Sequence, residues 1–459
     1  MDVVAAARRL LESGPVCDSC LGRPFADRSF GLTNEQRGRS LRTAVALADD
    51  ADFESGPTAD CWVCEGHCAE HDAWAERVVD AAADYDFDTY QVGTRTPPLI
   101  EENDRLLREE AGLDPDAGEA FKSAFNREVG KRFGREAGAE VDFDRPDVLA
   151  LLNLERGDVD VQVNPAFVYG RYRKLERDVP QTEWPCRECG GSGKQLGEDG
   201  EEDCEYCDGT GYMYPTSVEQ EIAPLVRDAM EGEEALFHGA GREDVDALML
   251  GTGRPFVVEV KRPHRRSPDV EALEAEINDA AAGRVEVEGL RLATYEMVER
   301  VKELDASKRY RAYVATEAPL DDASFADALA ELDGETVEQY TPERVDHRRA
   351  STTRTRTVYE IDGELHDSAG SDGGAVAPDA VIASRYEDEL DLDAIERTGT
   401  VEIHGEGGLY VKELISGDEG RTEPSLAGLL DVPITVTALD VLAVEGEEES
   451  FEDEAYFRD

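Results

Sequence analysis

The densest polar segment of the chain is Gly241-Arg242-Glu243-Asp244-Val245-Asp246, which is followed by Gly251-Thr252-Gly253-Arg254-Pro255-Phe256-Val257-Val258-Glu259-Val260-Lys261. The apolar residues 256–260 predict a strand, and the glycines and charged residues before them predict a loop. Such a loop can present one aspartate, Asp244, as the sole nucleophile. A polar turn without any chemistry is the plain alternative.

A magnesium-dependent nuclease is a second interpretation of the same segment. Asp244 or Asp246 on a loop, followed by Glu259 and Lys261 on a strand, resembles a D…ExK arrangement. In that arrangement two carboxylates hold Mg²⁺ and the lysine assists an attacking water. The pattern is short and often accidental, so the residues alone leave the choice open.

Helix signals occur on both sides of this segment. Apolar side chains recur every four residues from Phe121 to Phe133, as on an amphipathic helix. Ser217 and Gln220 form a capping box that starts another helix. A further helix is predicted from Ser267 to about Ala281.

Strand signals are mixed with these helices. Valines alternate over 159–163, and apolar runs at 256–260, 309–314 and 434–444 also predict strands. The order is not a regular βαβ alternation. An α+β fold with a mixed or antiparallel sheet therefore fits best.

Length and charge restrict the class of protein. The chain has 459 residues, enough for two to four domains, with 105 acidic and 48 basic residues and a net charge of −57. Acidic residues are spread along the chain and only eight residues are lysines, which indicates a halophile whose charge repulsion is screened by molar salt. No apolar run approaches the roughly 18 residues of a membrane span, and no signal peptide is evident. We expect a cytoplasmic protein.

Nine cysteines in a reducing compartment favour metal sites over disulfides. Eight of them form CxxC pairs, and two such pairs can complete the tetrahedral shell of one zinc ion. The remaining Cys68 could replace one ligand. We predict structural zinc, one or two ions in all, at two candidate sites, whose ligands are Cys17, Cys20, Cys61 and Cys64 at the first, and Cys186, Cys189, Cys204 and Cys207 at the second.

Basic residues are scarce, so their clusters are informative. They occur on the 121–135 helix, at 171–174, at 261–266 and around 347–356. Together with two zinc ribbons they favour a nucleic-acid partner. The predicted RNA contacts are Lys261, Arg262, Arg265, Arg266, Arg171, Arg173 and Lys174.

The segment 241–256 resembles the catalytic motif of the tenth family of archaeal and eukaryotic tRNA pseudouridine synthases. The likeness extends through Asn164-Pro165, 169–175, Pro180-Gln181-Thr182-Glu183-Trp184 and 410–418, and so covers most of the chain. It implies an N-terminal zinc-containing THUMP-like RNA-binding domain and a C-terminal pseudouridine synthase domain. It also implies isomerisation of uridine in the TΨC loop of tRNA, at tRNA positions 54 and 55.

The same resemblance implies roles for six residues. The nucleophile is Asp244, and the other five bind substrate: Tyr310, Lys412, Arg242, Val411 and Leu439. The reaction keeps all atoms of the nucleoside, so neither a metal nor a nucleotide cofactor is expected in catalysis. A monomer whose partner is tRNA is expected, and no membrane association.

The expected domains are a zinc-binding segment at 1–75, a THUMP-like domain at 76–180, a CxxC ribbon at 181–215 and a catalytic domain at 216–459. The stretch 366–378 is expected to be a flexible insertion and the residues after Glu445 an acidic tail. Besides the nuclease, the competing hypothesis is a zinc-ribbon RNA-binding protein without enzymatic activity.

Overall fold

The chain forms two compact units. The computed structural model describes residues 2–197, 200–342, 351–367, 395–445 and 451–458. The N-terminal unit comprises Met1–Pro165 and Lys261–Arg266, and the C-terminal unit comprises Ala166–Val260 and Ser267–Asp459. No helix in the described ranges is both long and apolar enough to cross a membrane.

The N-terminal unit is rich in helices. The long third and sixth helices have sequence reasons: a Thr33/Gln36 capping box starts one, and the four-residue repeat of phenylalanines from Phe121 buries one face of the other. The six helices are α1 (Val3–Glu12), α2 (Asp18–Gly22), α3 (Asn34–Ala48), α4 (His71–Ala82), α5 (Pro98–Glu110) and α6 (Phe121–Ala137). Short 3₁₀ turns occupy Arg23–Phe25 and His67–Ala69.

A four-stranded sheet completes this unit. Its strands are β1 (Thr89–Arg95), β2 (Glu140–Val141), β3 (Val148–Asn153) and β4 (Asp158–Val163), in the order β2-β1-β3-β4. β1 is parallel to β2 and β3, whereas β4 is antiparallel to β3. The predicted alternating strand at 159–163 is therefore confirmed.

The C-terminal unit is built on a ten-stranded mixed sheet, and a hairpin of two strands stands apart from it. Most neighbours are antiparallel, but β9 and β16 run parallel where Leu248 lies opposite Asp440. The strands are β5 (Ala166–Lys174), β6 (Lys194–Gly197), β7 (Gly200–Asp203), β8 (Glu234–Gly239), β9 (Leu248–Lys261), β10 (Val285–Ala293), β11 (Ser307–Thr316), β12 (Thr336–Tyr340), β13 (Thr353–Asp367), β14 (Arg397–Gly405), β15 (Thr422–Glu423) and β16 (Thr435–Glu445).

Helices pack against this sheet in three apolar cores. The helices are α7 (Val218–Ala229), α8 (Val270–Ala280), α9 (Tyr295–Glu303), α10 (Asp322–Leu332), α11 (Val411–Ser416) and α12 (Leu426–Leu430). The first core joins α7 and α8 to β5, β9 and β10, the second joins α10, α11 and α12 to the strands from β11 onward, and the third joins α9 to β5 and β9. Tyr310 on β11 packs against the first two cores.

The observed boundary corrects the predicted domains. The C-terminal unit begins at Ala166, well before the predicted start at 216, because β5 pairs with both β9 and β10 inside the main sheet. The ribbon at 181–215, with its β6–β7 hairpin, is therefore an insertion in this unit and does not separate two domains. The segment 261–266 belongs to the N-terminal unit.

The other predicted elements have mixed outcomes. Helix α7 has the predicted Ser217 cap, α8 is capped by Asp269, and β9, β11 and β16 contain the three predicted runs. The predicted acidic tail is wrong over 451–458, because Phe457 forms a β-bridge with Ala293 and Tyr169 donates to Glu452. Most of the 366–378 insertion and the residues 347–349 lie outside the described residues.

A glycine on α6 provides a test of the N-terminal packing. A Cβ added at Gly134 would lie 2.6 Å from Cε1 of buried Tyr90, whereas a Cβ at Gly130 would meet nothing closer than 3.7 Å. Gly134→Ala should lower the free energy of unfolding by about 1–3 kcal/mol through overpacking. Gly130→Ala, the matched control, should leave it unchanged or raise it by up to about 1 kcal/mol. Denaturant unfolding in molar KCl measures both, and equal effects would contradict this packing.

Candidate active site and metal centres

A cleft in the C-terminal unit opens to solvent beside β11 and β16. It is built from the loop before β9, the face of β11 that carries Tyr310, the start of α11, and β16. All six residues that the resemblance assigns to the site line this cleft: Arg242, Asp244, Tyr310, Val411, Lys412 and Leu439. The structure thus joins four segments that are distant in the sequence.

Lys412 links two aspartates at the edge of the cleft. Its Nζ lies 3.3 Å from Oδ2 of Asp244 and 3.2 Å from Oδ2 of Asp246. The Asp244 side chain is 39% exposed and the Asp246 side chain 19%. An ammonium at this distance favours the ionised form of the carboxylate, and Asp244 is the more accessible of the two.

The first turn of α11 holds Lys412 in this position. The side chain of Gln339 accepts from the Tyr410 amide at 2.8 Å and donates to the Tyr410 carbonyl at 2.9 Å. Gln339 is fully buried. The backbone of Tyr410, two residues before Lys412, is therefore fixed by a buried side chain from β12.

Tyr310 forms an aromatic wall of the cleft. Burial, together with the negative charge of Asp244, raises the pKa of its hydroxyl to about 12. The hydroxyl therefore stays protonated near neutral pH. Val411 and Leu439 add buried apolar surface on which a base can rest.

A buried charge network lies behind Asp244. Glu243 accepts from the Tyr172 hydroxyl at 2.9 Å and pairs with Nε of Arg254 at 2.8 Å. Lys174 lies 3.9 Å from the same carboxylate, and burial lowers its pKa to about 8. All four side chains are buried.

This network grips the backbone of the loop. Nζ of Lys174 donates to the carbonyl of Asp244 at 3.2 Å and to that of Val245 at 3.0 Å. Arg254 donates to the carbonyl of Ala240 at 2.7 Å. The segment that presents Asp244 is thus held from beneath by two buried cations.

Sequence reasoning missed three cleft residues. Glu243 and Arg254 lie within the quoted motif, but nothing in the sequence showed that they pair. Lys308 lines the cleft two residues before Tyr310 on β11, and this strand spacing, which places both on one face, could have revealed it. Burial lowers the pKa of Lys308 to about 8.

The predicted RNA contacts have different surroundings. Lys174 and Arg266 cannot reach a phosphate: both are buried, and Arg266 pairs with Asp147 at 3.0 Å and donates to the Asn164 and Pro165 carbonyls. These two assignments are corrected, because each cation serves a buried internal acceptor. Arg171 donates to the Thr252 carbonyl.

Other predicted RNA contacts remain accessible to some degree. Arg173 pairs with Glu286 at 3.0 Å, and its side chain is 27% exposed. Arg265 is 60% exposed and lies 4.0 Å from Asp86. RNA contact by Arg171, Arg173, Lys261, Arg262 and Arg265 stays a prediction.

The nuclease arrangement is not formed. Lys412, not an open metal position, lies between Asp244 and Asp246. Glu259 is bound to Nε2 of His238 at 2.9 Å. Within the described ranges, the two groups suited to a metal ion consist of cysteines alone.

The ribbon brings together its four predicted cysteines, Cys186, Cys189, Cys204 and Cys207. The Sγ atoms of Cys186 and Cys204 are 4.0 Å apart, and those of Cys189 and Cys207 are 3.8 Å apart. Zinc bound to four thiolates at about 2.3 Å requires sulfur separations of about 3.8 Å. Positive-φ turns at the ribbon glycines let the amides of Gly193 and Gly211 donate to sulfur. This centre can hold a tetrahedral metal ion.

The N-terminal centre differs from the predicted set. The four sulfurs that gather are those of Cys17, Cys20, Cys64 and Cys68, because the 3₁₀ turn His67–Ala69 carries Cys68 inward. Cys17 and Cys64 are 3.8 Å apart, and Cys20 and Cys68 are 3.9 Å apart. Cys61, the predicted ligand, instead accepts the Cys17 amide at 3.3 Å.

Comparisons with known sequences agree with this geometry. The chain matches the profile described as Pus10, C-terminal, over residues 167–370 and 384–445. Residues 74–153 match the Pus10 THUMP domain, archaeal. The profile for the C-terminal region starts within one residue of the observed boundary at Ala166.

Full-length relatives extend the agreement. A protein of Halorubrum lacusprofundi named tRNA pseudouridine synthase Pus10 is 62% identical over the whole of both chains. A protein of the same name from Methanothermobacter marburgensis is 41% identical, over 97% of this chain and 99% of its own. The fold and site are those of a pseudouridine synthase with an N-terminal THUMP domain. The chain belongs to the Pus10 family, and the predicted halophilic character fits the Halorubrum relative.

The likeness to solved structures is slight. A chain of a Cbf5-Nop10-Gar1 complex is 16% identical, with a TM-score of 0.27, over 49% of this chain and 45% of that chain. At that TM-score the likeness carries no argument about function.

Glu243 provides a test of the buried network. Glu243→Gln removes the charge that compensates Arg254 and Lys174, and should lower the free energy of unfolding by about 3–5 kcal/mol. Glu286→Gln is the control, because its pair with Arg173 is partly exposed and should change the value by less than about 1 kcal/mol. Denaturant melts compare them. A small effect of Glu243→Gln would show that the network does not hold the loop.

Proposed function

We propose that this chain isomerises uridine to pseudouridine in tRNA, within the TΨC loop at tRNA positions 54 and 55. The observation that carries the proposal is an exposed carboxylate, Asp244, held 3.3 Å from the ammonium of Lys412 in a cleft walled by Tyr310. The reaction breaks the bond between N1 and C1′ and forms one between C5 and C1′. One carboxylate acting as nucleophile can serve such a rearrangement.

Each residue of the cleft has a role in this proposal. Lys412 keeps Asp244 ionised and aimed at the nucleoside. A target uridine must be flipped out of the loop, which costs a few kcal/mol, and stacking on Tyr310 offsets part of that cost. Val411 and Leu439 enclose the base, and Arg242 borders the entrance over the ring of Trp184.

The remaining expectations accompany this function. The two cysteine centres would hold structural zinc, with no metal or nucleotide cofactor in catalysis. The protein would act as a cytoplasmic monomer on tRNA. In molar salt the electrostatic share of RNA affinity is small, so shape and stacking would supply most of the binding.

Substitution of Asp244 tests the chemistry. Asp244→Asn should abolish tritium release from C5-labelled uridine in unmodified tRNA, a loss of at least about 10³-fold, because the amide cannot act as a nucleophile. Binding of tRNA should remain within about threefold of wild type. Asp279→Asn, an exposed change on α8 outside the cleft, is the control. Wild-type turnover by Asp244→Asn would refute the assignment.

The same assay separates the alternatives. Turnover should be unchanged in EDTA, and tRNA should remain intact with Mg²⁺ present. Strand cleavage that needs Mg²⁺ would support the nuclease hypothesis. An RNA-binding protein without activity would release no tritium at all.

Substrates with single changes test the proposed positions. A tRNA with cytidine at tRNA position 54 should yield pseudouridine at position 55 only, and the reverse change should yield it at position 54 only. Mapping the product in each transcript checks this. Modification outside these two positions would contradict the proposed specificity.

Lys308 is expected to contact an anionic group of the bound nucleotide. In the described part of the chain, its ammonium has no hydrogen-bond or ion-pair partner, although it lines the cleft. Because its pKa is about 8, the ammonium is present below that pH and is lost above it. KM for tRNA should therefore rise as the pH passes through about 8.

Two variants of Lys308 sharpen this prediction. Lys308→Gln should raise KM about tenfold at pH 7 and remove its rise with pH. Lys308→Arg should retain a low KM and also flatten the profile, because a guanidinium stays charged. Initial rates between pH 6.5 and 9.5 measure these effects. An unchanged KM in Lys308→Gln would eliminate the contact.

A further inference from the structure

Five cysteine sulfurs, not four, meet at the N-terminal centre. The sulfurs of Cys17, Cys20 and Cys64 gather with that of Cys68, and the sulfur of Cys61 lies against this group, because it accepts the amide of Cys17 at 3.3 Å. The five form two overlapping sets that share three members. Tetrahedral zinc binds four thiolates, so one of the five is in excess.

The set that contains Cys68 has the dimensions of a zinc site. Its four sulfurs all lie within 4.8 Å of one another. The separations of 3.8 Å between Cys17 and Cys64, and of 3.9 Å between Cys20 and Cys68, match the edge of about 3.8 Å that tetrahedral Zn–S bonds of about 2.3 Å require.

The set that contains Cys61 is also suited to zinc by its sequence, and Cys61 lies against one of the shared ligands. Cys61 and Cys64 have the same CxxC spacing as the other pairs, while Cys64 and Cys68 are separated by three residues. Both spacings occur in zinc sites. Cys61 is 1% exposed, and its sulfur accepts the amide of Cys17 at 3.3 Å, so it already lies against a shared ligand.

The protein around the centre can accommodate whichever of Cys61 and Cys68 is not bound to zinc. When Cys61 is unbound, its buried sulfur can remain the acceptor of the Cys17 amide. When Cys68 is unbound, its half-buried sulfur can accept from the Arg23 guanidinium, which lies 3.8 Å away. Zn²⁺ has no ligand-field preference between the two sets.

We propose that Cys61 and Cys68 are alternative fourth ligands of a single zinc ion held by Cys17, Cys20 and Cys64. This inference rests on the proposal that the centre holds zinc. It concerns the ligands alone and adds no metal to the catalytic cleft. Three thiolates would stay bound while the fourth position exchanges.

Zinc content of serine variants tests the inference. Native mass spectrometry of the full chain should count two zinc ions in wild type, Cys61→Ser and Cys68→Ser. It should count one, in the ribbon, for Cys64→Ser and for the double variant Cys61→Ser/Cys68→Ser. If either single variant lost zinc as completely as Cys64→Ser does, the proposed exchange of ligands would be wrong. If the wild type contained no zinc, the underlying proposal that the centre holds zinc would be wrong.

NMR of the wild type covers the case in which a variant does not fold. In zinc-loaded protein the Cβ carbon signals of Cys17, Cys20 and Cys64 should have the shifts of zinc-bound thiolates, whereas those of Cys61 and Cys68 should each be divided or averaged between bound and free. A fully bound signal at one of these two cysteines and a fully free signal at the other would show a fixed ligand set. The ribbon cysteines, which offer four thiols for one ion, should all give bound signals and serve as the internal control.

Discussion

The buried carboxylate of Glu243 is the interaction on which the active site depends. It compensates Arg254 at 2.8 Å, lies 3.9 Å from Lys174 and accepts from Tyr172. Two cations could not remain in this interior without it. Because Lys174 bonds to the carbonyls of Asp244 and Val245, the charge of Glu243 fixes the backbone next to it in the chain.

This arrangement separates the scaffold from the proposed nucleophile, Asp244. The residue before Asp244 points inward and is buried, while the Asp244 side chain remains 39% exposed in the cleft. A backbone held from beneath keeps the carboxylate in place before substrate arrives, which lowers the cost of orienting it. Lys412 is held in a similar way, because the backbone of Tyr410, at the start of its helix, is hydrogen-bonded to the buried side chain of Gln339. The geometry of the cleft therefore comes from buried polar bonds on both of its sides.

Local signals in the sequence predicted much of the fold. The Ser217 cap, the phenylalanine repeat of α6 and the strands around 256–260 and 309–314 depend on neighbouring residues and were found. The grouping of Asp244, Tyr310 and Lys412 came from family resemblance, since no local pattern links residues so far apart. The structure then showed that they share one cleft.

The errors have physical causes. Lys174 and Arg266 were assigned to the surface because cations usually are, but Glu243 and Asp147 compensate them inside. The predicted domain boundary lay after the ribbon because nothing in the sequence of β5, which ends in basic residues, indicates that this strand pairs with β9 in the main sheet. Cys68 joined the metal centre through a 3₁₀ turn that the CxxC spacing does not reveal.

A structure of the enzyme bound to tRNA that carries 5-fluorouridine at position 55 would show whether Asp244 acts on the target nucleoside. We expect a flipped nucleoside stacked on Tyr310, with the Asp244 carboxylate in contact with its ribose or base and Lys412 beside that carboxylate. A target nucleoside bound outside this cleft, or with Asp244 turned away from it, would contradict the proposed role of Asp244.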